Sequence, residues 1–431
     1  MTAGRGDGET RRRGDAENLP LPAGEREHAR GHVHGGEGQS GTSTHHSSLT
    51  THHSPPTRLR ILHIITSLDV GGAQKHLLSL VRGLRERGHA ADVAFFKNPS
   101  LLGEFEETGA TVFDLSARGT LSPLLLPRLA RLLAVGRYQI AHTHLLKADA
   151  YGALAALLAR TPIRISSKHN DEQVLKNPGI AAIHGQLSRL NQRVVVLSDY
   201  VGRYMTSVGK VDPNRITRIY YGLPASTTAR MGQGLVLRSE LGVPPEAPLI
   251  GTVGRLTEQK GLVHLLEAMA ILRDRLPQAR LLVVGDAQDR REGYKRELLR
   301  RRDALGLAEV VIFTGVRADV PAIMQAIDLF AMASLWEGFG LVFLEAMAAA
   351  RPIVATAVSA VPEVVEDGVT GLLVPPANPA AMASAMLSLL SDPEKARRMG
   401  ESGLLRLKQR FTEERMIESV EGLYFQLWGN H

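Results

Sequence analysis

Thirteen short apolar runs of strand length, mostly separated by amphipathic stretches of helical length, constrain this 431-residue chain more than any other feature. Runs of this kind are typical of strands that are buried on both faces of a parallel sheet. The alternation stops in a Gly- and Pro-rich segment at 222–248 and then resumes. The sequence therefore predicts the α/β class, with two doubly wound, Rossmann-like domains. The predicted strands are residues 61–66, 91–96, 111–115, 139–144, 163–169, 193–198, 216–221, 249–255, 279–285, 310–314, 329–333, 353–356 and 371–374.

The chain divides into three predicted segments. Residues 1–57 contain mainly Gly, Ser, Thr, Glu, Arg and His, so burial of apolar groups cannot offset the entropy of folding and we expect a disordered tail. Residues 58–235 and 236–431 are the two predicted domains, and the last helix is a candidate to cross back onto the first domain. Two domains also fit the length, because one hydrophobic core rarely organises more than about 300 residues.

The two predicted domains differ in charge. Residues 58–235 carry 23 Lys and Arg against 12 Asp and Glu, a net charge of +11, whereas residues 236–431 carry 22 against 25. A basic domain favours an anionic partner such as a phospholipid surface, a lipid-linked phosphate or an acidic polysaccharide. The segment 124–133 has the pattern of a basic amphipathic helix, which favours either membrane contact or core packing with a solvated basic face.

The chain contains no cysteine, and this excludes disulfides, thiolate metal sites and a cysteine nucleophile. A cysteine-free chain favours a reducing compartment. The sequence has no secretory signal pattern and no uncharged apolar run of membrane-spanning length. We therefore expect a cytoplasmic protein, with the basic domain in peripheral contact with the inner face of the membrane.

The segment 336–348 carries the strongest local signal of a binding site. It reads as a Gly-containing turn after a strand, followed by a helix that opens near Gly340. The free N–H groups at a helix start suit a phosphate. Glu337 in the turn and Glu345 in the helix can accept hydrogen bonds from sugar hydroxyls. The alternative interpretation is an ordinary amphipathic helix with solvated glutamates.

A second segment, 254–261, follows the first predicted strand of the second domain. Arg255 and Lys260 lie five residues apart at a carboxyl end, where open α/β sheets bind ligands, so they can neutralise a pyrophosphate. A solvated charged turn is the alternative. The segment is not a Walker loop, because the chain contains no G-x-x-x-x-G-K-[ST] pattern.

From Arg58 onward the chain resembles the retaining glycosyltransferases of glycosyltransferase family 4, which have the GT-B fold of two Rossmann-like domains facing a cleft. The resemblance rests on several motifs in order, because each of them alone is weak. They are GGAQ at 71–74, HTH at 142–144, KADAYG at 147–152, GR at 254–255, KG at 260–261, VGD at 284–286, FTG at 313–315, the E-x7-E pair Glu337 and Glu345, PEVV at 362–365 and DGVTGLLV at 367–374.

The resemblance implies a role for each candidate residue. Residues 58–235 would form the acceptor side, and residues 236–431 would bind the donor. Two departures from the family pattern stand at the domain junction, where Tyr221 replaces the usual Asn and Gln74 replaces a frequent Glu. The implied roles are a diphosphate clamp for Arg255 and Lys260, ribose binding for Glu345, contact with the donor sugar and phosphates for Glu337 and the backbone of Phe339, Gly340 and Leu341, approach from the other domain for Gly71 and Gly72, a base-side loop for Val316, and a position near the anomeric centre for His144.

Three histidines need separate interpretation. His142 and His144 point to the same face of a strand because side chains alternate, so both can reach the cleft or both can pack. We favour a functional His144, which ends its strand where α/β ligands bind. His169 ends the next strand, and its contact with acceptor or phosphate stays open.

The implied function is transfer, with retention, of a hexose-type sugar from a nucleotide-sugar donor to a hydroxyl of a glycan or lipid-linked acceptor, in polysaccharide or glycolipid synthesis. Positioning and stabilisation of charge on the departing phosphate would supply the catalysis. We expect no cofactor and no required metal, because the chain contains no Asp-x-Asp. The alternatives are a sugar-nucleotide epimerase on the same fold and a non-catalytic sugar-nucleotide-binding protein. A nucleic-acid partner is not expected, because aromatic residues make up 5% of the chain and no nucleic-acid-binding module is recognisable.

Overall fold

The structure is a computed structural model that describes residues 58–116, 124–224, 227, 232–287 and 292–431. The predicted tail at 1–57 lies outside the described residues. In the described chain, thirteen strands form two fully parallel sheets. The strands are β1 Arg60–Ile65, β2 Ala90–Phe95, β3 Val112–Asp114, β4 Ile140–His144, β5 Ile163–Lys168, β6 Arg193–Val196, β7 Ile216–Arg218, β8 Leu249–Val253, β9 Arg280–Val284, β10 Val311–Gly315, β11 Leu329–Met332, β12 Ile353–Thr356 and β13 Gly371–Val374.

Helices connect these strands. Several begin at a residue whose side chain accepts a backbone N–H of the first turn, as Ser198, Thr412 and Asn378 do. The helices are α1 Gly72–Glu86, α2 Leu102–Glu106, α3 Leu125–Val135, α4 Leu146–Leu158, α5 Pro178–Ser188, α6 Asp199–Ser207, α7 Gln233–Glu240, α8 Leu262–Arg273, α9 Glu292–Ala304, α10 Val320–Ala326, α11 Leu341–Ala348, α12 Val361–Val364, α13 Pro379–Leu390, α14 Pro393–Arg410 and α15 Glu413–Gly429.

The two sheets repeat one topology. The first has the order β3-β2-β1-β4-β5-β6-β7, and the second has the order β10-β9-β8-β11-β12-β13. Both match the doubly wound order, in which strands are added first on one side of the initial strand and then on the other. The predicted α/β class with two Rossmann-like domains is confirmed, and every predicted strand is present within a few residues of its expected bounds.

Helix α3 contains most of the basic amphipathic segment that was considered for membrane contact. Its apolar face is buried, because Leu125, Leu129 and Leu133 lie in the core beside the first sheet. Arg128 and Arg131 are exposed on the opposite face. Of the two alternatives, the structure supports core packing with a solvated basic face.

The last helix, α15, packs against α1 beside the first sheet. Tyr424 and Ile417 are buried in the same apolar cluster as the strands β1 and β2. Glu421 accepts a hydrogen bond from Arg87 and lies 2.8 Å from His89 Nε2. The chain therefore returns to the first sheet after it has completed the second one.

No helix in the described parts of the chain is long and apolar enough to cross a membrane.

Candidate active site

The strand order of each sheet determines where the candidate site lies. In each sheet the direction of winding reverses beside the first strand, between β1 and β4 and between β8 and β11. Ligands of open α/β sheets bind outside the carboxyl ends of the strands at such switch points. His144 ends β4, Arg255 follows β8 and Glu337 follows β11. The fold thus places predicted site residues of both domains at the two switch points.

The turn of residues 334–340, which joins β11 to α11, has the local geometry of an anion site. Gly340 precedes the helix with a φ of +83°, a conformation that a side chain would strain. No side chain of the described residues caps the first amide groups of α11. Leu341 therefore starts a helix whose free N–H groups and dipole suit a phosphate.

The loop of residues 254–261 packs directly against this turn. Gly261 has a φ of +58°, and a Cβ at this position would lie 2.0 Å from the carbonyl oxygen of Ala333. Gln259 holds the two segments together, since its carbonyl accepts the Leu335 N–H at 2.8 Å and its Nε2 donates to the Trp336 carbonyl at 3.0 Å. The close approach of the two backbones decides where the loop can place its cations.

The two predicted cations of this loop have different surroundings. Lys260 forms an ion pair with Glu337, whose side chain is 7% exposed and also accepts a hydrogen bond from Ser334 at 3.2 Å. Arg255 is exposed, and no hydrogen bond or ion pair within the described residues engages its guanidinium group. Lys260 and Glu337 therefore neutralise each other here, whereas Arg255 is available to an anion.

Glu345 contacts the other domain. Its Oε1 lies 3.7 Å from Lys75 Nζ in the first turn of α1, and its side chain is 12% exposed. Burial raises the pKa of Glu345, and the charge of Lys75 partly opposes this effect. Gly71 and Gly72 begin α1 on the same side of the cleft, and a Cβ at Gly72 would meet no atom within 4 Å. The helices α1 and α11 thus begin on opposite sides of one cleft.

A chain of hydrogen bonds links three histidine rings to Tyr221. His144 Nδ1 lies 3.1 Å from His169 Nε2, and His144 Nε2 lies 3.1 Å from His63 Nδ1. The hydroxyl of Tyr221 lies 2.5 Å from His169 Nδ1. Burial lowers the pKa of His144 and His169 well below the ordinary histidine value and lowers the pKa of His63 to about 3. Burial thus favours the neutral form of all three rings. His144 is fully buried, and both of its ring nitrogens are engaged.

His142 lies beside this chain but has other partners. Its Nδ1 lies 2.6 Å from the Tyr424 hydroxyl, and its Nε2 lies 2.7 Å from Ser167 Oγ. His63, His142 and His144 each have a ring nitrogen within 4.8 Å of the others, and all three are buried. Hydrogen bonds occupy both ring nitrogens of His142 and of His144, so a metal ion would have to displace them.

Asp149 of the predicted KADAYG motif has a structural role. It is buried and accepts hydrogen bonds from the hydroxyls of Thr143 and Ser166. It also forms an ion pair with Lys168. These partners lie on β4 and β5, so Asp149 ties the carboxyl ends of the two strands that carry His144 and His169.

The remaining predicted residues have separate surroundings. Phe339 is buried, with its ring centroid 5.4 Å from that of Tyr221, so its side chain packs the domain junction. Val316 follows β10 and is 71% exposed.

Two family models match separate parts of the chain. Residues 70–226 match the model described as Glycosyltransferase Family 4, and residues 236–406 match the model described as Glycosyl transferases group 1. The chain belongs to glycosyltransferase family 4. The predicted resemblance to this family is confirmed. The first matched segment contains β2–β7 of the first sheet, and the second contains all six strands of the second sheet.

Several curated glycosyltransferases are similar in sequence to this chain. The D-inositol 3-phosphate glycosyltransferase of Segniliparus rotundus is 34% identical over 51% of this chain and 49% of its own length. The lipopolysaccharide core biosynthesis mannosyltransferase LpsB of Rhizobium meliloti is 32% identical over 44% of this chain and 55% of its own length. The chain thus matches about half the length of these two relatives. The D-inositol 3-phosphate glycosyltransferase of Mycobacterium sp. strain KMS is 28% identical over 78% of this chain and 83% of its own length.

Solved structures share the whole two-domain arrangement. HepE of Anabaena, solved in complex with UDP and glucose, has a TM-score of 0.78 and 26% identity, and the match covers 85% of this chain and 99% of HepE. Sucrose-phosphate synthase of Thermosynechococcus elongatus, with 22% identity and a TM-score of 0.72 over 86% of this chain and all of its own, shares the fold. The predicted GT-B fold is confirmed by these likenesses and by the two sheets.

In this family 4 chain, several contacts across the cleft come from residues that sequence reasoning did not assign. Glu363 accepts the backbone N–H groups of Asp199 and Tyr200, each at 2.7 Å, and so caps α6 from the other domain. Ser198 donates to the carbonyl of Gly338 at 3.1 Å. Ser198 has the sequence signature of a helix N-cap, which indicates where α6 begins but not what the hydroxyl contacts.

Asp171 was also missed. It lies on the loop after β5, is 4% exposed, and accepts a hydrogen bond from the Tyr200 hydroxyl at 3.1 Å. Burial raises its pKa, and Glu337 across the cleft adds to this effect. The carboxylates of Asp171 and Glu337 therefore interact electrostatically between the domains.

Proposed function

We propose that this protein is a retaining glycosyltransferase that transfers a hexose-type sugar from a nucleoside-diphosphate sugar to a hydroxyl of a glycan or lipid-linked acceptor. The observation that carries the proposal is the pairing of the loop 254–261 with the open start of α11. Together they offer two cations and a helix N-terminus at one switch point. HepE, which is bound to UDP and glucose in its structure, supports a nucleotide-sugar donor.

Donor binding would change the partner of Lys260. In the described structure Lys260 pairs with Glu337, and a diphosphate between Lys260 and Arg255 would compete for the ammonium group. Glu337 would then be free to accept hydrogen bonds from hydroxyls of the donor sugar. The exchange couples the arrival of the phosphate to the preparation of the sugar site.

The chemistry that we propose is attack of an acceptor hydroxyl on the anomeric carbon from the face that the diphosphate leaves. The bond from the anomeric carbon to the phosphate oxygen breaks, the bond to the acceptor oxygen forms, and the hydroxyl proton passes to the departing phosphate. Arg255, Lys260 and the dipole of α11 would stabilise the charge that develops on that phosphate. The proposal assigns this stabilisation to the protein's own groups and includes no metal or cofactor.

The basic first domain supports peripheral contact with an anionic membrane surface that presents the acceptor. Its net charge is +11, and Arg128 and Arg131 of α3 point to solvent. Because Leu125, Leu129 and Leu133 of α3 are buried, this contact would be electrostatic and sensitive to salt. Sedimentation with anionic and neutral vesicles at low and high salt tests it, and equal binding to both at all salt concentrations would contradict it.

Donor screening tests the function directly. UDP-, GDP- and ADP-sugars are added singly to the purified chain, and the bound donor is identified by the rise in the unfolding temperature. The selected donor is then incubated with and without an acceptor, and the anomeric configuration of the product is read by NMR. Transfer with retention is expected only when an acceptor is present, whereas a change of the sugar with the donor alone would identify an epimerase.

The variants R255Q and K260Q provide the link to the site. We expect each to reduce the stabilisation by the donor and to lower turnover, because each removes one charge from the diphosphate site. K408Q is the matched control, since Lys408 is an exposed cation on α14. Equal losses in all three variants would point to net charge rather than to a site.

A further inference from the structure

The hydrogen-bonded chain of Tyr221, His169, His144 and His63 has a property that follows from the chemistry of imidazole. A neutral imidazole has one N–H donor and one acceptor nitrogen. In this chain both ring nitrogens of His169 and of His144 are engaged by the neighbouring members. The protons of the rings must therefore all point the same way along the chain, and only two orders are possible.

The two end members of this hydrogen-bonded series, Tyr221 and His63, distinguish the two proton orders. If Tyr221 donates to His169 Nδ1, each following Nε2–H donates to the next Nδ1, and the order ends at His63 Nε2–H. That nitrogen has no partner in the described residues. In the reverse order His63 Nε2 is still unpaired, and the hydroxyl hydrogen of Tyr221 also loses its acceptor. The first order leaves one buried group unpaired and the second leaves two, so the first is favoured.

Tyr221 also connects this chain to the donor side of the cleft. Its ring stacks on His76 with centroids 4.3 Å apart and meets the ring of Phe339 edge-on at 5.4 Å. The backbone beside Phe339 lies close to the next member, because a Cβ at Gly338 would lie 2.5 Å from the carbonyl oxygen of His169. The backbone of His169 thus lies at the turn 334–340, and the Tyr221 hydroxyl is bonded to its ring.

We propose that Tyr221 is a positioning residue, whose hydroxyl sets the proton order of His169, His144 and His63 and so fixes the ring of His169, whose backbone carbonyl lies at the turn 334–340. The effect on catalysis rests on the proposed function, whereas the proton order does not. His144 then acts through His169, as a buried support with Nδ1 as acceptor and Nε2–H as donor.

The variant Y221F tests the proposal because it removes the hydroxyl and keeps the ring that packs on His76 and Phe339. Y424F is the matched control, because it removes a tyrosine hydroxyl that lies 2.6 Å from His142 Nδ1. The other ring nitrogen of His142 is bonded to Ser167, so His142 is not a member of the hydrogen-bonded series of Tyr221, His169, His144 and His63. Circular dichroism and thermal unfolding first establish that both variants fold.

The first readout is the tautomer of each ring in the full chain labelled with 15N-histidine, with His144 and His169 assigned from single His→Gln variants. In the unaltered chain we expect both to carry the proton on Nε2. Y221F should populate the other tautomer at both rings, and Y424F should change only His142. The proposal is overturned if Y221F leaves both tautomers unchanged, if Y424F changes them equally, or if the purified chain retains one equivalent of a metal at these histidines.

The second readout is turnover with the donor selected by screening. Y221F should lower kcat by about ten-fold and leave the KM for the donor within about two-fold, because a misplaced ring raises the barrier without removing donor contacts. Y424F should keep kcat. An unchanged kcat in Y221F with altered tautomers would overturn the positioning role. Absence of transfer with every donor, together with the expected tautomers, would contradict the proposed function and leave the proton order standing.

Discussion

Lys75 Nζ lies 3.7 Å from Glu345 Oε1, and this contact joins the first turn of α1 in one domain to α11 in the other. A residue of the first domain therefore directly contacts the residue for which we predict ribose binding. Burial raises the pKa of Glu345 and Lys75 lowers it. The charge of Lys75 therefore helps to keep Glu345 ionised.

We predict that nucleoside diphosphate affinity falls as the pH is lowered through the raised pKa of Glu345, because protonation removes the carboxylate that accepts ribose hydroxyls. In K75Q this loss should begin at a higher pH than in the unaltered chain, since the opposing charge is gone. Calorimetric titrations over a pH series measure it, with K97Q as the control for loss of an exposed cation from the same domain. Identical pH curves for K75Q and the unaltered chain would refute the prediction.

The raised pKa of Glu345 affects stability in the opposite direction from ligand affinity as the pH is lowered. A carboxyl whose pKa is raised in the folded state binds a proton more tightly there than in the unfolded chain. The contribution of Glu345 to the free energy of unfolding should be largest below its unfolded pKa and should be lost as the pH rises through the raised pKa. E345Q should remove this component, as measured by denaturant unfolding along the pH series.

The two glutamates of the E-x7-E pair should separate by role. E345A should weaken nucleoside diphosphate binding by about ten- to a hundredfold, since a charged hydrogen bond contributes roughly 1.5–3 kcal/mol. E337Q should nearly keep that affinity, because its removal leaves Lys260 without a competing carboxylate, and should lower turnover instead. Calorimetry and kinetics on both variants decide the matter, and an equally severe loss of affinity in E337Q would disprove the division.

G261A should displace the loop that carries Lys260. Gly261 has a positive φ, and a methyl group there would overlap the carbonyl of Ala333. We expect a loss of stability of more than about 1 kcal/mol together with weaker diphosphate binding. G88A is the control, because Gly88 has a φ of +89° and a Cβ there would meet no atom within 4 Å. If G88A weakens diphosphate binding as much as G261A, the clash is not the cause.

E363Q should loosen the contact between the domains. Its carboxylate accepts two N–H groups at the start of α6, where a negative charge is stabilised by the helix dipole. We expect a loss of about 1–2 kcal/mol in unfolding experiments. E366Q, which breaks an ion pair with Arg406 inside the second domain, is the comparison. A smaller loss in E363Q than in E366Q would contradict a special role for the helix start.

The sequence by itself determined the local structure and the order of the elements. A run such as Leu329–Met332 is apolar on both faces, so it can only be buried as a central strand, and the glycines after it mark where α11 begins. The positions of Arg255, Lys260 and Glu337 after the carboxyl ends of strands, and of Glu345 in the helix that follows, came from the same local patterns. These features depend on interactions between residues that are close in the sequence, so they can be predicted without knowledge of the tertiary packing.

Only the tertiary structure decided which distant residues meet. Tyr424 and His142 are 282 residues apart in the chain, yet their hydrogen bond holds α15 on the first sheet. Lys75 meets Glu345, and Glu363 caps α6, only because the two sheets face each other across the cleft. The burial of His144 and of Leu129 in α3 likewise depends on the elements that pack against them. Periodicity and spacing describe one element at a time, whereas these contacts depend on the docking of two independently wound sheets.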